Sequence, residues 1–324
     1  MSYKIFVDFA VTPAVLDVLK AGTQGHQLIF PQKPVTSVLA KPEPDPQFPT
    51  VDIAFGQPDL PAIASAASLK WIHVSSSGFT RYDTAQFRAS MAQRKIAVTN
   101  SASVYNESCA VHALSFLLAQ ARNLPHGLKT RAANGSPEWL ALRGSSSTLR
   151  DQTVLILGFG AIAKRLVELL RPLHMNILAY RRQARGDEGV PVVTPDQLPH
   201  TLSTMADHII NILPDNAESR NFFDAARLAA VKPCAVFYNI GRGSTVDQAA
   251  LVQTLQSGRL KAAWLDVTDP EPLPENHPLL SAPNCFITPH TAGGHTDETK
   301  TLVRHFLKNF DRFIRNEPLA DRIM

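Results

Sequence analysis

The chain has 324 residues, 44% hydrophobic and 19% charged, which suits a globular protein with large cores and excludes a disordered, collagen-like or disulfide-stapled miniature fold. At roughly 100–200 residues per domain, the length points to two domains. Lys and Arg number 32 against 28 Asp and Glu, a net charge of +4 that is too mild over this length to argue for nucleic acid or a membrane surface.

The chain start, Met1 to Asp8, offers no apolar signal-peptide region, and no run approaches the ~18 apolar residues of a membrane span. Three scattered cysteines, Cys109, Cys234 and Cys285, form no CxxC pair, so neither a disulfide framework nor a metal site is expected and a reducing, cytoplasmic setting fits best. Strands are expected at Lys4–Phe9, Gln27–Phe30, Asp52–Phe55, Trp71–Val74 and Ile96–Thr99, with a helix over Pro13–Lys20, where Pro13 is tolerated in the first turn. Six prolines between Pro31 and Thr50 argue against any regular element there, and the segment around Phe55–Pro61 reads as irregular. Tyr105–Arg122 reads as a long helix joining two domains, and Trp139 falls in a loop-like stretch. A stronger alternation follows. Strands are expected at Thr153–Leu157, Asn176–Tyr180, His208–Leu213, Ala235–Asn239, Lys261–Leu265 and Cys285–Thr288. Helices are expected at Ile162–Leu170, Asn221–Ala230, Asp247–Gln256 and Asp297–Phe313. Such repetition implies right-handed crossovers and a parallel sheet.

The first strand of this second series runs directly into Gly158-Phe159-Gly160-Ala161-Ile162-Ala163, a GxGxxA turn opening a helix. Gly158 permits the tight turn, Gly160 lets backbone approach a pyrophosphate, and Ala163 keeps helix and strand close, while the helix N-terminus supplies N–H donors. Alone the motif is weak; flanked by a strand, a helix and five further strands it is strong. The next strand ends in Arg181-Arg182, where an NAD-binding fold normally places an acid for the ribose 2′-hydroxyl. A carboxylate would repel a 2′-phosphate and a guanidinium offers it a fork of donors. NADP(H) is therefore the expected cofactor, with NAD possible. Lys164–Arg185 holds six basic residues and one acid, so the chain's small positive excess is concentrated there. Lys164, Arg165 and Arg171 are expected on a solvated helix face.

Three segments follow at strand C-termini, where parallel sheets gather ligands: Phe237-Tyr-Asn-Ile-Gly-Arg-Gly243, Trp264-Leu-Asp-Val-Thr-Asp-Pro-Glu-Pro-Leu-Pro274 and Thr288-Pro-His-Thr-Ala-Gly-Gly294. With the glycine turn, and in this order, they resemble the D-isomer-specific 2-hydroxyacid dehydrogenases. The run from Asp266 to Leu280 is particularly similar to the glyoxylate/hydroxypyruvate reductases. The resemblance implies two Rossmann-like domains with parallel sheets: a cofactor domain over 101–293 inserted into a flavodoxin-like substrate domain of residues 1–100 and 294–324, with the cleft between them. It carries the catalytic roles to Arg242, Glu271 and His290. The substrate loop falls on Ser76, Ser77, Gly78 and Phe79, and cofactor contacts fall on Gly158, Phe159, Gly160, Ala161, Ile162, Arg181, Arg182, Leu213, Pro214, Ile240, Gly241, Asp266 and Gly293.

The residue types suit the chemistry. Reducing a 2-keto acid needs a proton at the carbonyl oxygen while hydride reaches the carbon. An imidazolium supplies that proton, a carboxylate stabilises the imidazolium, and Arg242 pairs with the substrate carboxylate. The implied reaction turns a short 2-keto acid into the D-2-hydroxy acid; no nucleic acid or membrane partner and no metal are implied. A homodimer is expected, with Tyr105–Arg122 as the interface helix. Val111 stands where many relatives carry Glu; His277 and His295 read as structural or surface residues. The rival from another class is a dinucleotide-sensing binding protein of the same fold, as in the transcriptional corepressors. A non-redox Rossmann enzyme such as a methyltransferase would leave the Arg, Glu and His without a role.

Overall fold

The computed structural model describes residues 2–35 and 43–324. The chain divides into two compact units, Met1–Tyr105 with His295–Met324, and Asn106–Gly294. Part of the Pro-rich stretch, residues 36–42, lies outside the described residues. The remainder corrects one expectation, because Phe48–Thr50 forms a 3-10 turn with Pro49 near its start, where proline's missing N–H costs nothing.

In the first unit β1 (Lys4–Val7), β2 (Gln27–Ile29), β3 (Ile53–Gly56), β4 (Trp71–Val74) and β5 (Ala97–Thr99) form a parallel sheet in the order β2-β1-β3-β4-β5, the flavodoxin-like arrangement. β3 and β4 are buried along their whole length, which is why they read as apolar runs and not as alternating strands. Three helices, α1 (Pro13–Gly22), α2 (Leu60–Ser65) and α3 (Ala85–Arg94), connect strands. The segment around Phe55–Pro61 is not irregular: β3 runs to Gly56, and Asp59 caps α2 by accepting from the Ala62 amide. The helix Glu298–Ile314 completes the unit and buries Leu302, Val303, Phe306 and Phe310 on one face. Phe306 stacks on Phe55 and Trp71, with ring centroids 4.3 and 5.2 Å apart.

The chain's last residues are tied by Asp321 to Ser103, just after β5, and to His305 of the final helix. The Asp321 carboxylate accepts from the Ser103 amide and hydroxyl at 2.9 and 2.6 Å and lies 3.3 Å from Nε2 of His305. Burial alone would raise this carboxyl. The hydrogen bonds from His305 and Ser103 outweigh it and hold the group down at about 2. A depressed carboxyl contributes stability that is present above its unfolded value near 3.8 and is lost as pH falls through about 2. Asp321→Asn should therefore cost about 2 kcal/mol at neutral pH. The gap between the two proteins' urea midpoints should close below about pH 2; a gap that stays constant from pH 7 to that limit would contradict the assignment.

The helix α4 (Ala102–Ala121) begins three residues before the expected start and ends one before the expected end. Two short helices follow, α5 (Leu124–Gly127) and α6 (Pro137–Ser145). Trp139 is helical and not in a loop, because Ser136 caps α6 by accepting from the Trp139 amide and Pro137 occupies its first turn. The Arg143 guanidinium lies 4.6 Å from the Trp139 ring centre.

Seven parallel strands then form the second sheet: β6 (Thr153–Leu157), β7 (Asn176–Tyr180), β8 (Val192–Val193), β9 (His208–Asn211), β10 (Ala235–Asn239), β11 (Leu260–Leu265) and β12 (Cys285–Ile287). Their order is β12-β11-β10-β9-β6-β7-β8. The direction of winding reverses at β6, whose two neighbours are β7 and β9, so the crevice for a ligand opens at its carboxyl end. Register matters here. Leu157 pairs with Tyr180 and Asn211, and Asn239 pairs with Asn211 and Leu265. The strand ends are thus level, and the turns that follow emerge side by side. The helices α7 (Ala161–Leu170), α8 (Leu198–His200), α9 (Ala225–Ala230) and α10 (Gln248–Gln256) pack among them. α9 starts four residues after the expected Asn221. Asn221 has φ +48, Phe223 bridges to Val246, and Asp224 is the cap, accepting from the Arg227 amide at 2.8 Å.

Candidate active site

The turn after β6 fits a dinucleotide on its own geometry. Gly158 has φ +88, and a Cβ there would lie 2.8 Å from the Ile212 carbonyl oxygen, so only glycine suits both the turn and the contact. Gly160 caps α7, and a Cβ built on it meets nothing within 4 Å. That open face, at a helix N-terminus whose amides have no helical acceptors, is where a pyrophosphate would lie. Phe159 is buried, while Ala161 and Ile162 form the helix's first turn. Ala163, Leu166, Val167 and Leu170 are the buried stripe that holds α7 on the sheet.

The turns after β9 and β10 touch as well, since a Cβ on Gly241 would lie 2.7 Å from the Leu213 carbonyl oxygen. Leu213, Pro214, Ile240 and Gly241 therefore belong to one floor beside the glycine turn. Sequence reasoning missed what holds it. Asn211, fully buried at the end of β9, donates to Asn239 Oδ1 at 3.0 Å and to the Thr245 hydroxyl at 2.6 Å. Its own oxygen accepts from the Leu213 amide, and Asn239 accepts from the Gly241 amide. Asn239 Nδ2 and the Thr245 hydroxyl both donate to the Arg242 carbonyl, at 3.0 and 2.6 Å. Buried polar groups this well satisfied fix one conformation of the turn that carries Arg242.

Arg242 is half-buried, and its Nη1 donates to the Gly241 carbonyl at 2.6 Å. Next to it, Gly243 presses against the Thr268–Asp269 backbone, where a Cβ would come within 2.0 Å of the Thr268 carbonyl carbon. The Arg242 turn and the segment leading to Glu271 are thereby locked together. That segment is braced further by the Thr268 hydroxyl donating to the Pro270 carbonyl at 3.0 Å and by the Asp269 amide donating to Gln248 at 3.1 Å. Glu271 Oε1 lies 3.0 Å from His290 Nδ1 with both side chains about a quarter exposed. A carboxylate only accepts, so Nδ1–H donates and Nε2 is left for other work.

His290 itself sits in the left-handed region at φ +52, a conformation that costs energy for a side chain of this size and clusters at functional sites. Asp266 supports it. The buried Asp266 carboxylate accepts from the Thr288 hydroxyl at 2.6 Å and from the Thr291 and Ala292 amides at 2.8 and 2.9 Å, and its carbonyl accepts from the His290 amide at 2.9 Å. A further residue unforeseen from sequence, His112 of α4, places Nε2 3.2 Å from the Thr288 hydroxyl and 3.6 Å from Asp266; burial pushes this imidazole below its usual value. The Gly293 carbonyl accepts from Ser108 at 2.9 Å.

The arginines after β7 are less open than their sequence suggests. Arg181 Nη1 pairs with Glu188 at 2.7 Å and Asp187 at 3.0 Å, and Arg182 pairs with Glu218. Of the expected solvated face, Lys164 pairs with Asp187 and Arg165 with Glu107 and Glu168, while Arg171 donates to the Gly189 carbonyl. The basic cluster is thus interleaved with acids, Glu168 within it, Asp187 and Glu188 just after it, and Glu107 and Glu218 from distant segments. His277 is structural as expected, its Nδ1 accepting from the Leu279 amide at 3.3 Å.

In the first unit, Ser76, Ser77, Gly78 and Phe79 follow β4. The Ser76 hydroxyl donates to the Gly78 carbonyl at 2.6 Å and accepts from Gln57 Nε2 at 2.8 Å, while the Ser77 carbonyl accepts from Asn100 at 2.7 Å. Gln57, buried at the end of β3, is the residue that sequence reasoning overlooked in this loop. A cavity of about 210 Å³ in the second unit is lined by Gln120, His126, Lys261 and Asn284. It lies at the amino ends of β11 and β12, away from the strand ends that carry Asp266 and His290.

A dinucleotide cradle and a His–Glu pair on one set of strand ends define the class, an NAD(P)-dependent dehydrogenase. Comparison with known proteins then gives the family. The model of the D-isomer specific 2-hydroxyacid dehydrogenase NAD binding domain matches residues 114–292, and the chain belongs to this family. It is 31% identical to the human glyoxylate reductase/hydroxypyruvate reductase over 266 residues, 80% of this chain and 78% of the relative. It is 33% identical to glyoxylate/hydroxypyruvate reductase B of Citrobacter koseri over 69% of this chain and 68% of that protein. Among solved structures, it matches an NADPH-dependent glyoxylate/hydroxypyruvate reductase from Sinorhizobium meliloti in complex with NADP and malonate. The TM-score is 0.74 at 26% identity, covering 100% of this chain and 97% of the other. Among the described residues no helix is long and apolar enough to cross a membrane.

Proposed function

We propose that the protein reduces a short 2-keto acid, of the glyoxylate or hydroxypyruvate kind, to the D-2-hydroxy acid with NADPH. The observation that carries this reading is the 3.0 Å contact between His290 Nδ1 and Glu271, which fixes the imidazole and leaves Nε2 to deliver the proton to the carbonyl oxygen. When bound, the nicotinamide supplies the hydride. Arg242 pairs with the substrate carboxylate and polarises the keto group. The family's substrate loop falls by resemblance on Ser76, Ser77, Gly78 and Phe79, whose amides would offer N–H donors to a carboxylate. Gly158 to Ile162 hold the pyrophosphate. Leu213, Pro214, Ile240 and Gly241, together with Asp266 and Gly293, would make the remaining cofactor contacts. The relatives named glyoxylate/hydroxypyruvate reductase support the substrate class.

NADPH is favoured because β7 ends at Tyr180 and is followed directly by Arg181 and Arg182, where NAD-binding chains place their acid. The NADP complex of the Sinorhizobium relative supports this choice. The comparison to make is kcat/KM with NADPH against NADH on glyoxylate, hydroxypyruvate, pyruvate and bulkier keto acids. NADPH should win, and Arg181→Ala should lower the NADPH-to-NADH ratio by about 10- to 100-fold. Equal rates with NADH, or an unchanged ratio in the variant, would remove the preference. We place the enzyme in the cytoplasm, as a homodimer joined through α4, where Val111 and Leu118 are exposed apolar residues two turns apart. Light scattering that returns the monomer mass would refute the dimer.

A further inference from the structure

Two acids meet Arg181, and their surroundings differ. Glu188 is buried beneath it and is held by its own loop, accepting from the Arg185 and Gly186 amides at 2.9 Å as well as from Arg181 at 2.7 Å. Asp187 is half exposed, and its carboxylate bridges two cations with one oxygen each. Oδ2 lies 2.7 Å from Lys164 Nζ, and Oδ1 lies 3.0 Å from Arg181 Nη1. The hydrogen bond from Lys164 holds this carboxyl below its usual range. Lys164 follows Ala163 of the glycine turn and Arg181 directly follows the neighbouring strand β7, so the bridge spans the place where the adenosine ribose is read.

An exposed anion seated between two cations, one oxygen to each, has the bonding pattern of a bound phosphate. We infer that Asp187 is an internal stand-in for the 2′-phosphate of the cofactor. It keeps Lys164 and Arg181 paired in the free protein and is displaced when a 2′-phosphorylated nucleotide binds. Glu188 stays in place beneath and fixes the Arg181 side chain. Lys164 is then a second cation for the phosphate, and Asp187 sets how strongly phosphorylated and unphosphorylated cofactors are told apart. With NAD(H) nothing competes for its seat and the bridge persists. This inference rests on the NADP reading of Arg181.

The test is calorimetric titration of the full-length protein with 2′,5′-ADP and with ADP, which isolates the phosphate from nicotinamide and turnover. Asp187→Ala should bind 2′,5′-ADP about threefold to tenfold more tightly than the parent, with ADP changed by less than about twofold. Lys164→Ala should weaken 2′,5′-ADP alone. Unchanged or weaker 2′,5′-ADP binding in Asp187→Ala, or equal tightening for both nucleotides, overturns the stand-in. Arg181→Ala separates the cofactor preference from the role of Asp187. If that variant leaves the preference for 2′,5′-ADP over ADP intact, the assignment of that preference to Arg181 fails; if it abolishes the preference while Asp187→Ala does nothing, only the role of Asp187 is lost.

Discussion

Replacing His290 with Ala is expected to lower kcat by about 10²- to 10⁴-fold while leaving nucleotide affinity within about threefold of the parent. In the proposed reaction the imidazole delivers the proton, and its ring is aimed by the Glu271 contact on Nδ1. Its backbone, held at φ +52, hangs from Asp266 through the amide bonds of the 288–292 loop. Removing the ring deletes the donor without touching those anchors, so the loss should fall on the chemical step. Nucleotide titration by fluorescence alongside steady-state kinetics separates the two effects. A variant that keeps most of its turnover would mean that the proton comes from elsewhere, and one that loses nucleotide binding as well would mean that the ring supports the fold of the loop.

A second large effect is expected from a single methyl group. In Gly243→Ala the new Cβ would lie 2.0 Å from the Thr268 carbonyl carbon and 2.1 Å from its oxygen, backbone atoms with no rotamer to yield. Either the Arg242 turn or the segment before Glu271 must move, by an ångström or more. Misplacement on that scale costs about 10²-fold in kcat/KM, and the overpacking adds about 1–3 kcal/mol of instability. Kinetics on the folded fraction, with urea midpoints measured in parallel, distinguish lost alignment from lost fold. Near-normal kcat/KM in a folded Gly243→Ala protein would show that the two turns are not mechanically coupled.

The strands were legible because parallel strands covered on both faces appear as short apolar runs. Thr153–Leu157, Asn176–Tyr180 and Ala235–Asn239 coincide with the observed limits. Helix ends were less so, since the deciding signals are single capping residues. Ser136 and Asp224 mark true starts, yet Trp139 read as loop and Asn221 as helix. The segments around Arg242, Glu271 and His290 stand out for their glycines and prolines, residues whose backbone demands show in sequence. The polar supports do not stand out. Asn211, Asn239, Gln57 and His112 are ordinary residue types until the register places them at level strand ends or on a facing helix. The acids on Arg181 do not stand out for another reason: Asp187 and Glu188 lie just past Arg185, beyond the basic run, and reach Arg181 only through the fold of their own loop.

Chiral analysis of the product formed from hydroxypyruvate and NADPH decides whether the protein is a D-2-hydroxy acid-forming reductase. D-glycerate is expected in amounts equal to the NADPH consumed, with about a hundredth of that or less from the His290→Ala protein over the same interval. Tight nucleotide binding without any D-hydroxy acid formed would contradict it and favour a nucleotide-sensing protein of the same fold.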